Sequence, residues 1–342
     1  MKQRRIPRSA LVIAIAVVVG AALAGVLIGP ASLPPGKVLA ALVDRLPFVS
    51  VDSGLSTREV AILFELRLPR VVLALLVGAI LSVSGGAYQG VFRNPLADPY
   101  LLGVAAGAGL GATLAIVTAG SGSLLVGVAA FLGAVAAVAL AYGLGAAAGG
   151  RRTGSTLILA GVAVAAFLTA AQTFVQQRNT DAIREVYSWI LGRLGTAGWQ
   201  EVLLLVPYAA VGITVVLLHR RLLDALAVGE EEARTLGVRP ERVRIVVVLA
   251  ATLATAGAVA VSGLIGFVGI IVPHTVRLLV GGSYRVILPL SVLGGGAFMV
   301  VADLIARSVL SPAEIPIGVV TAFIGGPFFL LVLRTSTRAG ER

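Results

Sequence analysis

The sequence predicts an all-α fold that crosses a membrane many times, and two observations carry that prediction. Hydrophobic residues make up 58% of the 342 residues, while charged residues make up only 13%. Apolar runs of about 20 residues recur along the chain, the length a helix needs to cross the hydrocarbon core. Ten such runs are marked, at 10–29, 68–90, 100–119, 124–147, 156–176, 201–219, 243–262, 267–281, 288–306 and 317–334. An even number of crossings places both termini on one side. The eighth run is short and holds Pro273, which removes a backbone donor. The first run leads straight into further spans and is too long to read as a cleaved signal peptide.

Cations orient the bundle, because Lys and Arg accumulate in cytoplasmic loops. With the N-terminus inside, 18 of the 27 Lys and Arg residues fall on the cytoplasmic side and nine on the other. Both termini are therefore expected in the cytoplasm. The net charge of +11 follows from this topology. A basic balance can also mark a nucleic-acid binder, but no separately folding soluble domain exists to carry such a site. The chain reads as one transmembrane domain over 1–342. Cysteine is absent, which excludes disulfides and thiolate metal sites.

Three stretches outside the spans are long enough to matter. Residues 30–67 hold Pro30, Pro34, Pro35 and Pro47 and read as an ordered outer loop. Residues 177–200 mix charge with Tyr187, Trp189 and Trp199, a pattern expected of a short helix lying on the outer membrane surface. Residues 220–242 form the largest cytoplasmic loop, where acids and arginines surround spaced apolar residues and Gly229 and Gly237 punctuate the run. That pattern fits two short amphipathic helices.

A polar turn between the second and third spans breaks the apolar pattern most sharply. Asn94, Pro95, Asp98 and Pro99 lie within six positions, so the arriving helix must stop and a new one start near Tyr100. Such irregular backbone is tolerated in a membrane protein only where it is buried in protein or lines water.

Chemistry-bearing residues are sparse. Asp303 and Arg307 stand one helical turn apart on the ninth span and can pair. His219 and His274 are the only histidines, too few for a multi-histidine metal site. Gln172 and Gln176 share a face of the fifth span, where either polar pathway lining or interhelical hydrogen bonding explains them. No GxxxxGK[ST] phosphate loop is present. An intramembrane enzyme would need a nucleophile with its base, or a metal cluster. An ion-coupled secondary transporter would need mid-span carboxylates, and Asp303 alone approaches one, near a span end.

Several runs, in order from about residue 60 to the C-terminus, resemble one family. They are LRLPR (66–70), RNPLADPYLLGVAAGAG (93–109), DALAVGEEEARTLGV (224–238), SGLIGFVGIIVPHTVRLLVG (262–281), ADLIAR (302–307) and AEIPIGVVTAFIGGPFF (313–329). They are similar to the permease subunits of bacterial iron-siderophore, heme and cobalamin ABC importers, with their type II importer fold of about ten spans. The resemblance implies a homodimer in the bacterial cytoplasmic membrane, with the path at the dimer interface. Its partners would be two ATP-binding cassette subunits, which bind ATP and Mg, and one extracytoplasmic substrate-binding protein. The chain itself would hold no cofactor and perform no covalent chemistry. The resemblance assigns ATPase coupling to Gly229, Glu230, Ala233, Leu236 and Gly237. It assigns binding-protein docking to Arg67, Arg70 and Arg307, and a cytoplasmic gate to Asn94, Leu96, Gly154 and Ser155. Gln172 and Gln176 would line the pathway. Gly154 departs from the hydroxyl residue of some relatives. Ferric siderophore is the expected substrate, with heme or cobalamin as the alternative.

Overall fold

A central helix organises the bundle. In the computed structural model, which describes residues 6–45, 47, 49–147, 154–195 and 198–340, helix α4 (Leu68–Phe92) is buried along most of its length. Leu73, Val77, Ile80, Ala87 and Tyr88 leave almost no surface to solvent. Helices α9 (Trp199–Val228), α11 (Pro240–Ser262), α12 (Val268–Val280) and α13 (Tyr284–Ser308) surround it. Helices α5 (Val104–Ala119), α6 (Leu125–Ala147) and α7 (Gly154–Arg178) form a second group, and α1 (Arg8–Leu27) packs on α13. The last helix, α14 (Ile317–Gly340), lies against α12 and α13.

Among the described residues, seven helices are long and apolar enough to cross a membrane, and α5, α12 and the Ile317–Val332 part of α14 are shorter apolar helices. These ten coincide with the ten predicted runs. Helices α7 and α9 turn Phe167, Phe174, Leu203 and Leu218 outward, the surface that hydrocarbon demands.

Small residues set the closest crossings. A Cβ at Gly85 of α4 would overlap the backbone of Gly269 in α12, and one at Gly78 would overlap the Gly295 carbonyl in α13. Without a hydrophobic force between helices in lipid, such close backbone approach supplies the packing.

Three sequence expectations need correction. The second span does not begin at 68: α3 (Thr57–Ala61) runs through a π-helical turn (Ile62–Arg67) straight into α4. A capping box starts it, with Glu59 N–H on Ser56 Oγ at 3.4 Å and Ser56 N–H on Glu59 Oε2 at 2.8 Å. The loop 220–242 holds one short helix rather than two. Helix α9 continues to Val228 because no glycine interrupts its final turns, and only α10 (Glu230–Thr235) is separate. The segment 177–200 does not lie wholly on the surface. Helix α8 (Ile183–Ile190) buries Val186 and Trp189 in the bundle and leaves Tyr187 exposed. The loop 30–67 contains a further helix, α2 (Pro35–Asp44).

Candidate functional site

Polar side chains gather at the two ends of the bundle. Helix α13 joins those ends: its 25 residues span about 36 Å, with Tyr284 at one extremity and Asp303 and Arg307 near the other.

At the Asp303 end, α1 finishes at Leu27 and leaves its last carbonyls without helical partners. Arg67 donates to the carbonyls of Val26 at 3.2 Å and Leu27 at 3.3 Å, and also to that of Ala31. Arg307 donates to Gly25 O at 2.5 Å. Two cations thus sit at the negative end of the α1 dipole. Arg67 is 5% exposed and Arg307 2%. Both are turned inward in this chain, onto the carbonyls that end α1.

Arg70 lies between two acids. Its Nε donates to Asp303 Oδ1 at 3.0 Å, while Nη1 and Nη2 donate to Glu314 Oε1 and Oε2 at 2.8 and 2.9 Å, a bidentate pairing. Asp303 also faces Arg307 Nε at 3.4 Å. Asp303 is therefore shared by two arginines. Glu314 remains partly exposed in the loop before α14, and the Arg70 guanidinium holds its carboxyl below the ordinary carboxylate range. Sequence reasoning missed Glu314, although AEIP stands in the runs that carry the resemblance. The loop after α8 closes over this cluster, with Arg193 N–H on Ser262 O at 2.8 Å. Arg70, Arg193, Asp303 and Glu314 help line a cavity of about 140 Å³ there.

A larger apolar cavity of about 510 Å³ opens beside α8 and α14, lined by Ile190, Leu191, Leu264, Phe267, Val319 and Phe323. Phe267 has φ 69°, a left-handed conformation unusual for an aromatic residue, and its ring packs on Gly325.

The polar turn begins where Arg93, at φ 51°, stops α4. Asn94 Oδ1 accepts from Leu96 N at 2.9 Å, and Asp98 Oδ1 accepts from Tyr100 N at 2.8 Å. Burial pushes the Asp98 carboxyl up to about 6, with the Tyr100 N–H opposing. Tyr100 Oη donates to Ile265 O at 3.1 Å and ties the turn to the segment entering α12. Of the gate residues, Asn94 is exposed, Leu96 half-buried, and Gly154 and Ser155 begin α7. The turn meets α7 farther along, where Gly161 packs on Leu101 and Leu102. Arg151 and Arg152 lie outside the described residues. Gln172 is buried against Gly109 of α5, and Gln176 is half-buried.

At the opposite end, Gly229 (φ 156°) breaks the chain between α9 and α10. Glu230 pairs with Arg244 of α11, itself 4% exposed. Ala233 is fully buried. Gly237, at φ 78°, ends α10: its N–H bonds Arg234 O at 2.9 Å, and Val238 N–H bonds Ala233 O at 3.0 Å. This double closure is a Schellman motif. It presents Leu236, 69% exposed, next to the exposed acids Glu231 and Glu232. Among the described residues no group of three or more His, Asp or Glu side chains is placed to hold a metal.

A solved metal-chelate type ABC transporter described in an inward-facing conformation superposes with a TM-score of 0.83 at 30% identity, covering 96% of this chain and all of the other. The cobalamin import system permease protein of Halobacterium salinarum is 43% identical over 82% of this chain and 75% of its own length. The hemin transport permease of Yersinia pestis is 40% identical over 79% of this chain and 82% of its own length, and the ferric-citrate import permease of Bacillus subtilis 37% identical over 86% of each. The model of the FecCD transport family matches residues 5–335, and the chain belongs to that family.

Proposed function

We propose that this chain is the membrane-spanning subunit of an ATP-driven importer of ferric siderophores, working as a homodimer in a bacterial cytoplasmic membrane with both termini in the cytoplasm. ATP and Mg are bound by two separate cassette subunits, and an extracytoplasmic protein delivers the substrate. The chain carries no ATPase site and undergoes alternating access as a single domain.

The observation that carries the reading is the α10 hairpin. Its charged base is fixed by Glu230 and Arg244, its end is closed by Gly237, and Leu236 stands out into solvent. An exposed apolar knob on a rigid, capped turn is what a groove in an ATPase subunit requires, because packing rather than surface charge holds such contacts. Relatives that import cobalamin, hemin and ferric citrate support the class of cargo. The Halobacterium relative favours cobalamin as the second reading. Asp303 supplies no free carboxylate for an ion-coupled mechanism, since Arg70 and Arg307 both face it.

The outer cluster supports docking through Glu314 and Arg70 at its rim, with Arg67 and Arg307 behind them holding α1. The apolar cavity beside α14 and α8 supports a pathway wall there. Gly154, Ser155, Asn94 and Leu96 remain the proposed inner gate, with Gln176 rather than Gln172 on the pathway side.

Leu236→Asp tests the coupling assignment. The side chain is exposed, so the thermal midpoint of the purified chain should move little. Binding of the cassette subunits, read by co-purification and by ATP-dependent uptake, should fall at least about tenfold, as for loss of a central apolar anchor. Retained uptake and binding would remove α10 from the coupling role.

A further inference from the structure

Five residues before the break at Gly229, Asp224 does something that no assignment above uses. It sits on α9, is 9% exposed, and reaches across to the start of α13. Its Oδ1 accepts from Tyr284 N at 2.6 Å, and its Oδ2 accepts from Ser283 Oγ at 2.8 Å. Arg285 Nε lies 3.3 Å from the same Oδ2, an ion pair without hydrogen-bond alignment. An anionic cap is therefore supplied to the positive end of a 25-residue helix by a different helix.

The capped turn connects further inward. The Tyr284 hydroxyl accepts from Arg277 Nη2 at 3.1 Å, and the Arg277 guanidinium stands 5.3 Å from the Tyr284 ring centroid. Arg277 Nη2 also donates to Gln89 Oε1 at 3.4 Å, and Gln89 Nε2 donates to Gly269 O at 3.1 Å. Leu223, beside Asp224, packs with Tyr284 around Gly90. One carboxylate thus joins the helix carrying the coupling segment to α13, α12 and the central α4 at their cytoplasmic ends.

We infer that Asp224 is a positioning residue for transport: it clamps α9 to the N-terminus of α13, so that displacement of α10 by the ATPase moves α13 and the Tyr284, Arg277 and Gln89 set with it. This rests on the proposed coupling role of α10. Without the clamp α10 still docks and ATP is still hydrolysed, but the displacement is not passed to the transport helices.

The test uses the full complex of this chain with its cassette subunits and binding protein in proteoliposomes, offering hemin, ferric hydroxamate and cobalamin as probes. ATP hydrolysis and uptake are measured together for wild type, Asp224→Ala and Asp224→Asn. Asparagine keeps an acceptor for Tyr284 N–H, loses the charge, and puts a donor NH2 where Oδ2 accepts from Ser283 Oγ. We expect Asp224→Ala to hydrolyse ATP within about twofold of wild type while uptake falls about tenfold or more, a split that a merely structural defect would not give. Asp224→Asn should recover most of the uptake. Uptake and hydrolysis falling in parallel in both variants, or uptake unchanged in Asp224→Ala, would overturn the clamp. Leu236→Asp in the same assay separates the two readings: if it leaves wild-type coupling intact, the coupling assignment fails, whereas normal coupling in Asp224→Ala alone removes only the clamp.

Discussion

Glu230 and Gly237 show how one side chain or its absence shapes the surface that α10 presents. Glu230 is tied to a buried arginine, so Glu230→Lys would remove that pairing and place two cations together. Loss of a partner from such a pair costs up to about 3–5 kcal/mol when fully buried, and less here because Glu230 is partly exposed. A charge reversal at this position therefore disturbs the placement of α10 itself, apart from the coupling proposed for it. At Gly237 space is open but φ is 78°, so a larger residue costs about 1–2 kcal/mol through backbone strain rather than through a clash. Glu314 adds a pH signature. Its folded carboxyl titrates below its unfolded value because of Arg70, so its contribution to stability is full above pH 4.5 and is lost as pH falls through the lower folded value. Thermal midpoints of wild type and Glu314→Gln should differ at pH 7 and draw together as pH falls below 4.5 through the lower folded value. A constant difference across that range would contradict the pairing. The motifs made Arg70 and Gly229 legible as residues that matter. They did not reveal that Arg67 and Arg307 end up under α1, since their partners are main-chain carbonyls about 40 and 282 positions away in sequence.

Between elements, close crossings and a buried ion cluster hold the helices in place. Gly85→Leu would drive a side chain into the backbone of Gly269 and separate α4 from α12. Overpacking of this kind costs about 1–3 kcal/mol, and thermal unfolding in detergent should register it as a lowered midpoint. Asp303→Asn leaves Arg70 and Arg307 facing each other without their shared anion, and the midpoint should fall by more than that of Arg70→Met, which keeps Asp303 paired with Arg307. Equal midpoints would mean that the acid is not shared. Helix existence was legible from apolar length almost everywhere, including short α12 with its internal proline. Helix ends were not. Helix α9 runs on through charged residues because Arg, Leu and Ala sustain a helix as well in water as in lipid. The start of the continuous helix from α3 into α4 was hidden because the capping box at Ser56 lies 12 positions before the apolar run begins. Trp189 reads as an interface aromatic by composition, and only tertiary packing turns α8 inward.

Across the whole molecule, the arrangement is a rigid bundle with a polar cluster at each end. One cluster ties α1, α4, α13 and the loop before α14 together through Arg67, Arg70, Asp303, Arg307 and Glu314. The other ties α9, α10, α11 and α13 through Asp224, Glu230 and Arg244. Helix α13 runs through both, so a force applied near α10 has a route along it to the end where a binding protein would sit. The class of machine is carried by family and fold together, whereas relatives of similar identity import cobalamin, hemin and ferric citrate. For that reason the cargo was not legible from one chain. The most direct measurement is uptake into proteoliposomes holding this chain, its cassette subunits and its binding protein, with ferric siderophore, hemin and cobalamin offered in turn, with and without ATP. ATP-dependent accumulation of ferric siderophore, insensitive to a proton ionophore, is the predicted result; accumulation without ATP that collapses with the ion gradient would contradict it.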